Sequence, residues 1–300
     1  MPDEACAEPF SPSAPGADSD QPISGLVLVS TPIGNLADMS PRAVAALAGA
    51  DLVLCEDTRV TARLLAHHGI TARTAALHEH NEEARIPGLL DQLRQGRRIA
   101  LVSDAGTPLV SDPGYRLVRA ALEAGLPVGG VPGPNAAVLA LVLSGLPPHP
   151  FLFLGFPPPR QAARLAAFAR LRAAERAGLT ATLIWHEAPH RLAEALADMA
   201  QVFGPRPAAV ARELTKRFEE VRRGTLEALA AHYAAEAARG EITVVVGPAP
   251  EEVAGEDELD ARLREALAGN SVKDAAALVA TALGLPKRTV YARALELSQA

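Results

Sequence analysis

The sequence predicts an α/β protein with two successive α/β domains followed by a small C-terminal helical domain. From residue 26 onward, short apolar runs alternate with longer segments of helical periodicity, which is typical of βαβ units and a mainly parallel sheet. The segment GLPPHP at 145–150 holds three prolines, which cannot continue a helix and therefore indicate a boundary. The predicted units are a disordered tail (1–24), two α/β domains (25–146 and 147–248) and a helix-turn-helix-like domain (256–300).

Five short apolar runs predict the strands of the first α/β domain. A helix should begin at Ser40-Pro41, because serine caps the first free N–H groups and proline is favoured at the first helical position. Asn81 could cap a later helix in the same way. The predicted strands are 26–30, 51–56, 74–79, 98–103 and 127–131.

The second α/β domain shows the same alternation of apolar and periodic segments. Its predicted strands are 151–156, 180–187, 207–214 and 241–247, with helices at about 160–177, 190–203 and 225–238. The helical pattern after residue 258 is interrupted at 269–270 and at 284–286, where glycine and proline occur. These interruptions predict three short helices.

The composition predicts a soluble, cytoplasmic protein. No apolar run approaches the roughly 20 residues that a membrane span requires. The N-terminal tail has no basic region followed by an apolar region, and so it does not resemble a signal peptide. Two cysteines, Cys6 and Cys55, do not suggest a disulfide framework, which fits a reducing compartment.

The charge is distributed unevenly along the chain. A net charge of -6 argues against a nucleic-acid partner, since phosphate binding requires clustered Lys and Arg. However, the segments 1–24 and 251–260 contain acidic residues and no Lys or Arg, and the rest of the chain is net positive. Two local excesses of basic residues predict a basic surface, with solvated helix faces as the alternative. They are Arg160, Arg164, Arg170, Arg172 and Arg176, and Arg206, Arg212, Lys216, Arg217, Arg222 and Arg223.

Seven loops of distinctive composition follow the predicted strands. Ligands of open parallel sheets bind beyond the carboxyl ends of the strands, so a site is expected at these loops. The first domain supplies TPIGN (31–35), EDTR (56–59), HEHNEE (78–83), SDAGTPLVSDPG (103–114) and PGPN (132–135). The second domain supplies WHEAPHR (185–191) and RELTK (212–216).

The common phosphate-binding motifs are absent from the sequence. No GxGxxG follows the first strand and no GxxxxGK[ST] occurs, which argues against a dinucleotide-dependent dehydrogenase and a P-loop nucleotidase. The usual glycine-rich turn of methyltransferases is also missing. Loops rich in Pro and Gly expose backbone N–H and C=O groups, which suit an adenine ring and an amino-acid zwitterion.

Together, the loop motifs closely resemble one family. TPIGNLADMSPRA, CEDTR, HEHNEE, LVSDAGTPLVSDPGYRLV, VPGPNA, HEAPHRL and RELTKRFEEVRRGTL occur in the order found in bacterial 16S rRNA cytidine 2′-O-methyltransferases of the small subunit. That family belongs to the tetrapyrrole methylase superfamily. The resemblance covers about residues 24–248, and SVKDAAALVA…GLPKRTVY resembles the family's small helical domain.

The resemblance implies a fold of tetrapyrrole-methylase type, a homodimer, and S-adenosylmethionine bound in the cleft between the domains. Its implied substrate is 16S rRNA in the small ribosomal subunit. One departure is visible at Asn135, because the family commonly has Ser in a PGPS motif there. A hydroxyl contact at that position must be made by the amide or be absent. The implied cofactor contacts are Pro32, Gly34, Asp104, Gly106, Thr107, Val110, Gly133, Asn135 and Ala136.

Four carboxylates, those of Glu56, Asp57, Glu187 and Glu213, are candidate general bases. Methylation of a ribose hydroxyl requires removal of its proton, for which a positioned base is typically worth roughly 10²- to 10⁴-fold. The sequence does not choose among them, because each could instead cap a helix or form an ion pair. Lys216 is a further candidate, since it is the sole Lys of the two α/β domains and suggests a need for a compact or titratable amine.

Four further residues are candidate substrate contacts: Arg59, His80, Arg191 and Arg222. His78 and His80 would share one face of a predicted strand, which is compatible with metal ligation. We expect no metal, because no cysteine or third histidine is placed near them. Asp104 and Asp112 flank AGTPLVS, and each could simply cap a turn or a helix.

Two other functions compete with rRNA methylation. A methylase of a small tetrapyrrole would share the fold, but the basic clusters and the appended helical domain favour RNA. A DNA-binding regulator could act through the C-terminal helices, which carry only Lys273, Lys287, Arg288 and Arg293 after the acidic segment and the first predicted helix. That alternative leaves the long α/β portion unexplained.

Overall fold

The computed structural model describes residues 24–250, 256–283 and 285–299, which form two five-stranded sheets with flanking helices and a C-terminal group of three helices. The predicted N-terminal tail with Cys6, and residues 251–255 of the acidic segment, lie outside the described residues. Within the described residues, no helix is long and apolar enough to cross a membrane. The domain boundaries stay predictions.

All neighbouring strands of the first sheet are parallel, as predicted. The order is β3-β2-β4-β1-β5, and the predicted strands are each confirmed with shorter ends. Alternate residues of these strands face two apolar clusters, so helices cover both faces. The strands are β1 (Leu26–Val29), β2 (Leu52–Cys55), β3 (Thr74–Ala76), β4 (Ile99–Val102) and β5 (Val128–Val131).

Four α-helices and a short 3-10 turn (Leu36–Asp38) connect these strands, and a fifth helix leads from β5 to the second sheet. The Oγ atom of Ser40 accepts a hydrogen bond from the N–H of Ala43, which confirms the predicted cap. The predicted cap at Asn81 is wrong. Its side chain accepts from the N–H of His78 and donates to the carbonyl of Ala76, closing the turn after β3. The helices are α1 (Pro41–Ala48), α2 (Thr58–His67), α3 (Glu82–Arg94), α4 (Tyr115–Glu123) and α5 (Ala136–Ser144).

The second sheet differs from the prediction, because most of its strand pairs are antiparallel. Its order is β6-β7-β10-β8-β9, and only β6 and β7 pair in parallel. β9 was not predicted: its sequence EVRRGT is polar and half-exposed, as suits a charged edge strand. The strands are β6 (Phe151–Phe153), β7 (Thr182–Glu187), β8 (Pro207–Arg212), β9 (Glu220–Thr225) and β10 (Ile242–Val246).

The two faces of the second sheet have different partners. One face packs on α6 (Gln161–Arg176), α7 (Leu192–Phe203) and α8 (Leu226–Ala235). The other face contributes Ile184 and Val245 to an apolar cluster that includes Leu141 of α5 and Ile33 of the loop after β1. This cluster joins the two sheets and places the carboxyl ends of the first sheet beside the second.

Two arginines of the predicted basic surface are buried, so that prediction is wrong for them. The Nε atom of Arg164 donates to Asp198 at 2.7 Å, and its Nη2 atom forms an ion pair with the same carboxylate oxygen at 2.6 Å. Arg206 makes a bidentate pair with Glu175 at 2.6 and 2.7 Å. Each guanidinium forms an ion pair with a buried carboxylate on a helix of the second domain, so neither is available to phosphate.

The C-terminal sequence forms three helices, as predicted. They are α9 (Glu256–Leu267), α10 (Val272–Leu283) and α11 (Lys287–Gln299). Leu263, Val279 and Val290 belong to an apolar cluster made only of residues from this segment. Arg293 on α11 binds both carboxylate oxygens of Asp260 on α9 at 2.7 Å. The segment therefore has a core of its own.

Candidate functional site

A cavity of about 390 Å³ lies between the loops of the first sheet and the inner face of the second. This volume falls within the usual range of small-molecule sites. Its lining comes from both domains. It comprises Ile33, Asp104, Ala105, Gly106, Thr107, Val110, Ser111, Asp112, Asn135, Ala136, Phe156, His186, Glu187, Ala188, Pro189, Ala211, Leu214, Gly240, Glu241, Ile242 and Thr243.

The first wall of the cavity is the loop after β4, at 103–114. Gly106 adopts φ +85°, and its backbone exchanges two hydrogen bonds with Thr31, at 2.9 and 3.1 Å. Leu109 and Ser111 also adopt positive φ, at 71° and 67°, which is unusual for residues other than glycine. Such backbone is typical of ligand-binding loops, where surrounding contacts hold a strained conformation.

The loop after β5 is tied to this first wall. Thr107 donates its hydroxyl to the carbonyl of Pro134 at 3.2 Å, and the side-chain amide of Asn135 donates to Thr107 at 3.4 Å. The Oδ1 atom of Asn135 accepts from the N–H of Val138 at 3.1 Å and so caps α5. The Asn135 side chain therefore caps α5, as the serine that is common in the family could also do.

Six of the nine predicted cofactor contacts line the cavity: Asp104, Gly106, Thr107, Val110, Asn135 and Ala136. Pro32, Gly34 and Gly133 do not. At position 133, a side chain would begin 2.8 Å from the Cβ atom of Ser30, so this glycine permits close packing of two loops. Gly34 lies under the side chain of Lys216.

The second wall of the cavity consists of residues of the second domain. Glu187 is the predicted catalytic residue that lines this wall. Its carboxylate is buried, and Oε1 accepts from the N–H of Ala188 at 2.7 Å and contacts Arg191 at 2.5 Å. The Oε2 atom is buried and has no hydrogen-bond partner in the protein. Arg191, a predicted substrate contact, is thus paired with Glu187, and one carboxylate oxygen remains for a ligand.

Asp112 lines the cavity with a half-buried carboxyl group. Burial, together with the nearby charges of Glu56 and Asp104, raises the pKa of Asp112 to about 6. From the sequence, Asp112 is expected only as a possible cap of a turn or a helix. Its signal was a second aspartate, Asp104, in the same loop, but the raised pKa also depends on burial and on Glu56, which follows β2 and is distant in the sequence.

Glu56 and Asp57, both predicted bases, do not line the cavity. Asp57 caps α2 by accepting from the N–H of Arg59 at 2.8 Å, and it pairs with the Arg59 side chain at 2.7 Å. These hydrogen bonds lower the pKa of Asp57 to about 2, which makes it a weak base. The N–H of Asp57 donates to Asp104 at 3.1 Å, so this loop orients a carboxylate of the cavity.

Lys216 and Glu213 lie just outside the cavity. The Lys216 ammonium is 3.0 Å from Glu213 and 3.2 Å from Glu241, which does line the cavity. Burial opposes the charged form of Lys216, but the hydrogen bonds and negative charges of Glu213 and Glu241 together outweigh burial and raise the pKa of Lys216. The hydrogen bond from Lys216 lowers the pKa of Glu213. Hence the amine stays protonated at neutral pH, and Glu213 is a weak base.

The remaining predicted substrate contacts are also outside the cavity. His80 is exposed in the turn after β3, so the prediction that it shares a strand face with His78 is wrong. Arg222 lies on β9 and pairs with Glu220 at 2.7 Å. No group of potential metal ligands occurs among the described residues.

Comparison with known proteins identifies the family. The model of the tetrapyrrole (corrin/porphyrin) methylases matches residues 25–230, and that of the RsmI C-terminal HTH domain matches residues 253–298. A protein of Mesorhizobium japonicum, called ribosomal RNA small subunit methyltransferase I, is 50% identical over 91% of this chain and 92% of its own. A protein of the same name from Escherichia coli O157:H7 is 43% identical over 93% and 97%. The chain belongs to the tetrapyrrole methylases.

Solved structures show the same methylase fold. Uroporphyrin-III-C-methyltransferase from Thermus thermophilus superposes with a TM-score of 0.51 at 24% identity, over 74% of this chain and 93% of that one. Diphthine synthase superposes with a TM-score of 0.56 at 16% identity, over 74% and 89%. At these identities the likeness concerns the fold alone.

Tetrapyrrole methylases of this kind use S-adenosylmethionine. The residues of the cavity fit this cofactor. The cavity is large enough, the Asp104 carboxylate can receive an ammonium group, and the Oε2 atom of Glu187 still lacks a partner. A ligand that donates a hydrogen bond to Oε2 would remove the free-energy cost of burying this acceptor without a partner.

Proposed function

We propose that this chain is an S-adenosylmethionine-dependent methyltransferase that modifies 16S rRNA of the small ribosomal subunit, at the 2′-hydroxyl of a cytidine. The observation that carries this proposal is identity of 43–50% over about nine-tenths of the chain with proteins named ribosomal RNA small subunit methyltransferase I. The likeness includes the C-terminal helices, which a methylase of a small tetrapyrrole does not need. A homodimer in the cytoplasm is part of the same proposal.

The first wall would hold the cofactor. Asp104, Thr107 and Asn135 present polar groups to the cavity, and Gly106, Val110 and Ala136 let a ligand approach the backbone. Three predicted cofactor contacts do not line the cavity and would instead keep the loops of its wall close together: Pro32, Gly34 and Gly133. When bound, S-adenosylmethionine supplies an electrophilic methyl group.

Asp112 is our leading candidate for the general base. A base is most effective when its pKa lies near the working pH, and Asp112 meets this condition at about 6. Its carboxylate would accept the hydroxyl proton while the ribose oxygen bonds to the methyl carbon and the bond between that carbon and the sulfur of the cofactor breaks. Glu187 is the second candidate, but Arg191 and a backbone N–H occupy one of its oxygens.

The other predicted site residues would act around the cavity. Glu213 and Lys216 would position the loop after β1, since they bind each other directly beside Gly34. Arg59 and His80 are exposed and would contact RNA phosphate at the rim. Three residues already paired with protein groups would act chiefly through those pairs: Asp57 with Arg59, Arg191 with Glu187, and Arg222 with Glu220. Glu56 would act through its negative charge near Asp112.

Mass spectrometry of rRNA tests the proposal. Digests of 16S rRNA from cells lacking this protein should lose one 2′-O-methylcytidine, and the wild-type gene should restore it. The purified protein should transfer a labelled methyl group to small subunits from the deletion strain but not from wild-type cells. An unchanged methylation pattern in the deletion strain would overturn the proposal. DNA binding without methyl transfer would favour the regulator instead.

A further inference from the structure

Phe156 exposes an aromatic ring at the cavity while its backbone is held firmly. The ring is 55% exposed although it lines the cavity. On one side, the N–H of His186 donates to the carbonyl of Gly155 at 2.9 Å. On the other, three prolines follow, and buried Arg164 donates to the carbonyl of Pro159 at 3.3 Å. Proline has a fixed φ, so the backbone that carries the ring has little freedom to move.

The surface behind Phe156 is aromatic and uncharged. The ring of His186 lies 5.6 Å from that of Phe156, at a tilt of 54°, and 4.9 Å from that of Phe153. Burial lowers the pKa of His186, so its imidazole is neutral at physiological pH. The Nδ1 atom of His186 is 3.0 Å from the hydroxyl of buried Thr243, which fixes the orientation of the ring. A flat partner would therefore meet a preformed apolar face.

The position of Phe156 relates it to the candidate base. A Cβ atom built on Gly155 would lie 3.7 Å from the Oγ atom of Ser111, which directly precedes Asp112. The segment carrying the ring thus approaches the loop carrying Asp112. In contrast, the polar groups suited to an adenine, on Thr107 and Asn135, belong to the first domain.

We propose that Phe156 stacks on the base of the nucleotide whose ribose is methylated. This inference rests on the proposed function. Proteins commonly recognise unpaired RNA bases by stacking them on aromatic side chains, and every base offers a flat face for this. Phe156 holds the base on the second domain while the ribose hydroxyl reaches Asp112. It is a positioning residue, and it does not select the base.

The test compares Phe156→Ala, Phe156→Leu and Phe156→Trp in the full-length protein. Single-turnover methylation is measured over a range of small-subunit concentrations, and the Kd for S-adenosylmethionine is measured by calorimetry. Phe156→Ala and Phe156→Leu should lower kcat/KM about 5- to 150-fold, the range for one stacked base. Phe156→Trp should restore most of the loss. The Kd for the cofactor should stay within about twofold in all three variants.

Phe218→Ala is the matched control, because Phe218 is 65% exposed but does not line the cavity. It should methylate as the wild type does. Equal loss of cofactor affinity and methylation in Phe156→Ala would mean that the ring contacts the cofactor, and it would overturn the inference. So would a normal kcat/KM in Phe156→Ala, or full activity in Phe156→Leu. If the wild type transfers no methyl group to rRNA, the proposed function itself fails.

Discussion

The side chain of Lys216 lies directly across Gly34. A Cβ atom at position 34 would overlap the Cγ atom of Lys216 and lie 2.9 Å from its Cε atom. The same loop of the second domain binds the first domain again, where the N–H of Asn35 donates to Thr215 at 3.1 Å. Lys216, the sole Lys of the two α/β domains, therefore packs one domain against the other beside the cavity.

We predict that Gly34→Ala and Lys216→Ala are not additive. Gly34→Ala alone forces Lys216 to move away from Glu213 and Glu241, which should weaken cofactor binding and lower the melting temperature. In a Lys216→Ala background, the two closest contacts of the new Cβ atom are gone and the Oγ1 atom of Thr215, at 3.0 Å, is the close neighbour that remains. The coupling free energy should be at least about 0.5 kcal/mol, as for residues in direct contact. Calorimetry and melting curves of the four proteins measure it, and additive effects would show that the loops do not touch in solution.

The rate of methyl transfer should rise with pH and level off above about 6. This follows from the pKa of Asp112, which is raised to about 6, because only the ionised carboxylate accepts a proton. Asp112→Asn should lower the single-turnover rate roughly 10²- to 10⁴-fold and remove the inflection. Glu187→Gln is the comparison. If it removes the inflection while Asp112→Asn keeps it, Glu187 is the base.

Asp112 should also make the protein less stable at neutral pH than at pH 5. Its pKa of about 6 in the folded state is above the value of 3.8 for a free aspartate. The group therefore favours folding at low pH, and this contribution is lost as the pH rises through 6. Asp112→Asn should then raise the melting temperature at pH 8 and change it less at pH 4. A lower melting temperature of Asp112→Asn at pH 8 would mean that a partner stabilises the Asp112 carboxylate.

Breaking a buried ion pair of the second domain should be costly. Arg206→Ala leaves the buried carboxylate of Glu175 without its bidentate partner. We expect a loss of about 3–5 kcal/mol in the free energy of unfolding by urea. Arg94→Ala breaks an exposed pair with Asp91 and should change it by less than about 1 kcal/mol. Similar effects of the two variants would contradict the burial of Arg206.

Deleting residues 256–300 should leave cofactor binding intact and weaken rRNA methylation. The three C-terminal helices have their own apolar cluster, and none of their residues lines the cavity. Calorimetry of the truncated protein should give an unchanged Kd for S-adenosylmethionine, whereas methylation of small subunits should fall. Loss of cofactor affinity would mean that this segment supports the cavity.

Local patterns determined the elements with strong apolar signals. The runs of β2 and β4 are buried on every residue, and a buried strand leaves this signature in the sequence whatever surrounds it. The cap at Ser40 depends on neighbours three residues away. The loop motifs likewise brought six cofactor candidates to the cavity, since parallel strands end at the same edge of a sheet.

The tertiary structure alone decided the direction of the second sheet, the edge strand β9 and the environment of each charge. Strand direction depends on which distant strands pair, and β9 lacks an apolar pattern because this edge strand has no fully buried residue. Asp57 and Asp112 are the same residue type in similar loops, yet their pKa values are about 2 and about 6. Arg59 lies beside Asp57, whereas Asp112 is half-buried and lies near two other carboxylates. Burial and electrostatic interactions depend on distances in space, which the order of residues along the chain does not contain.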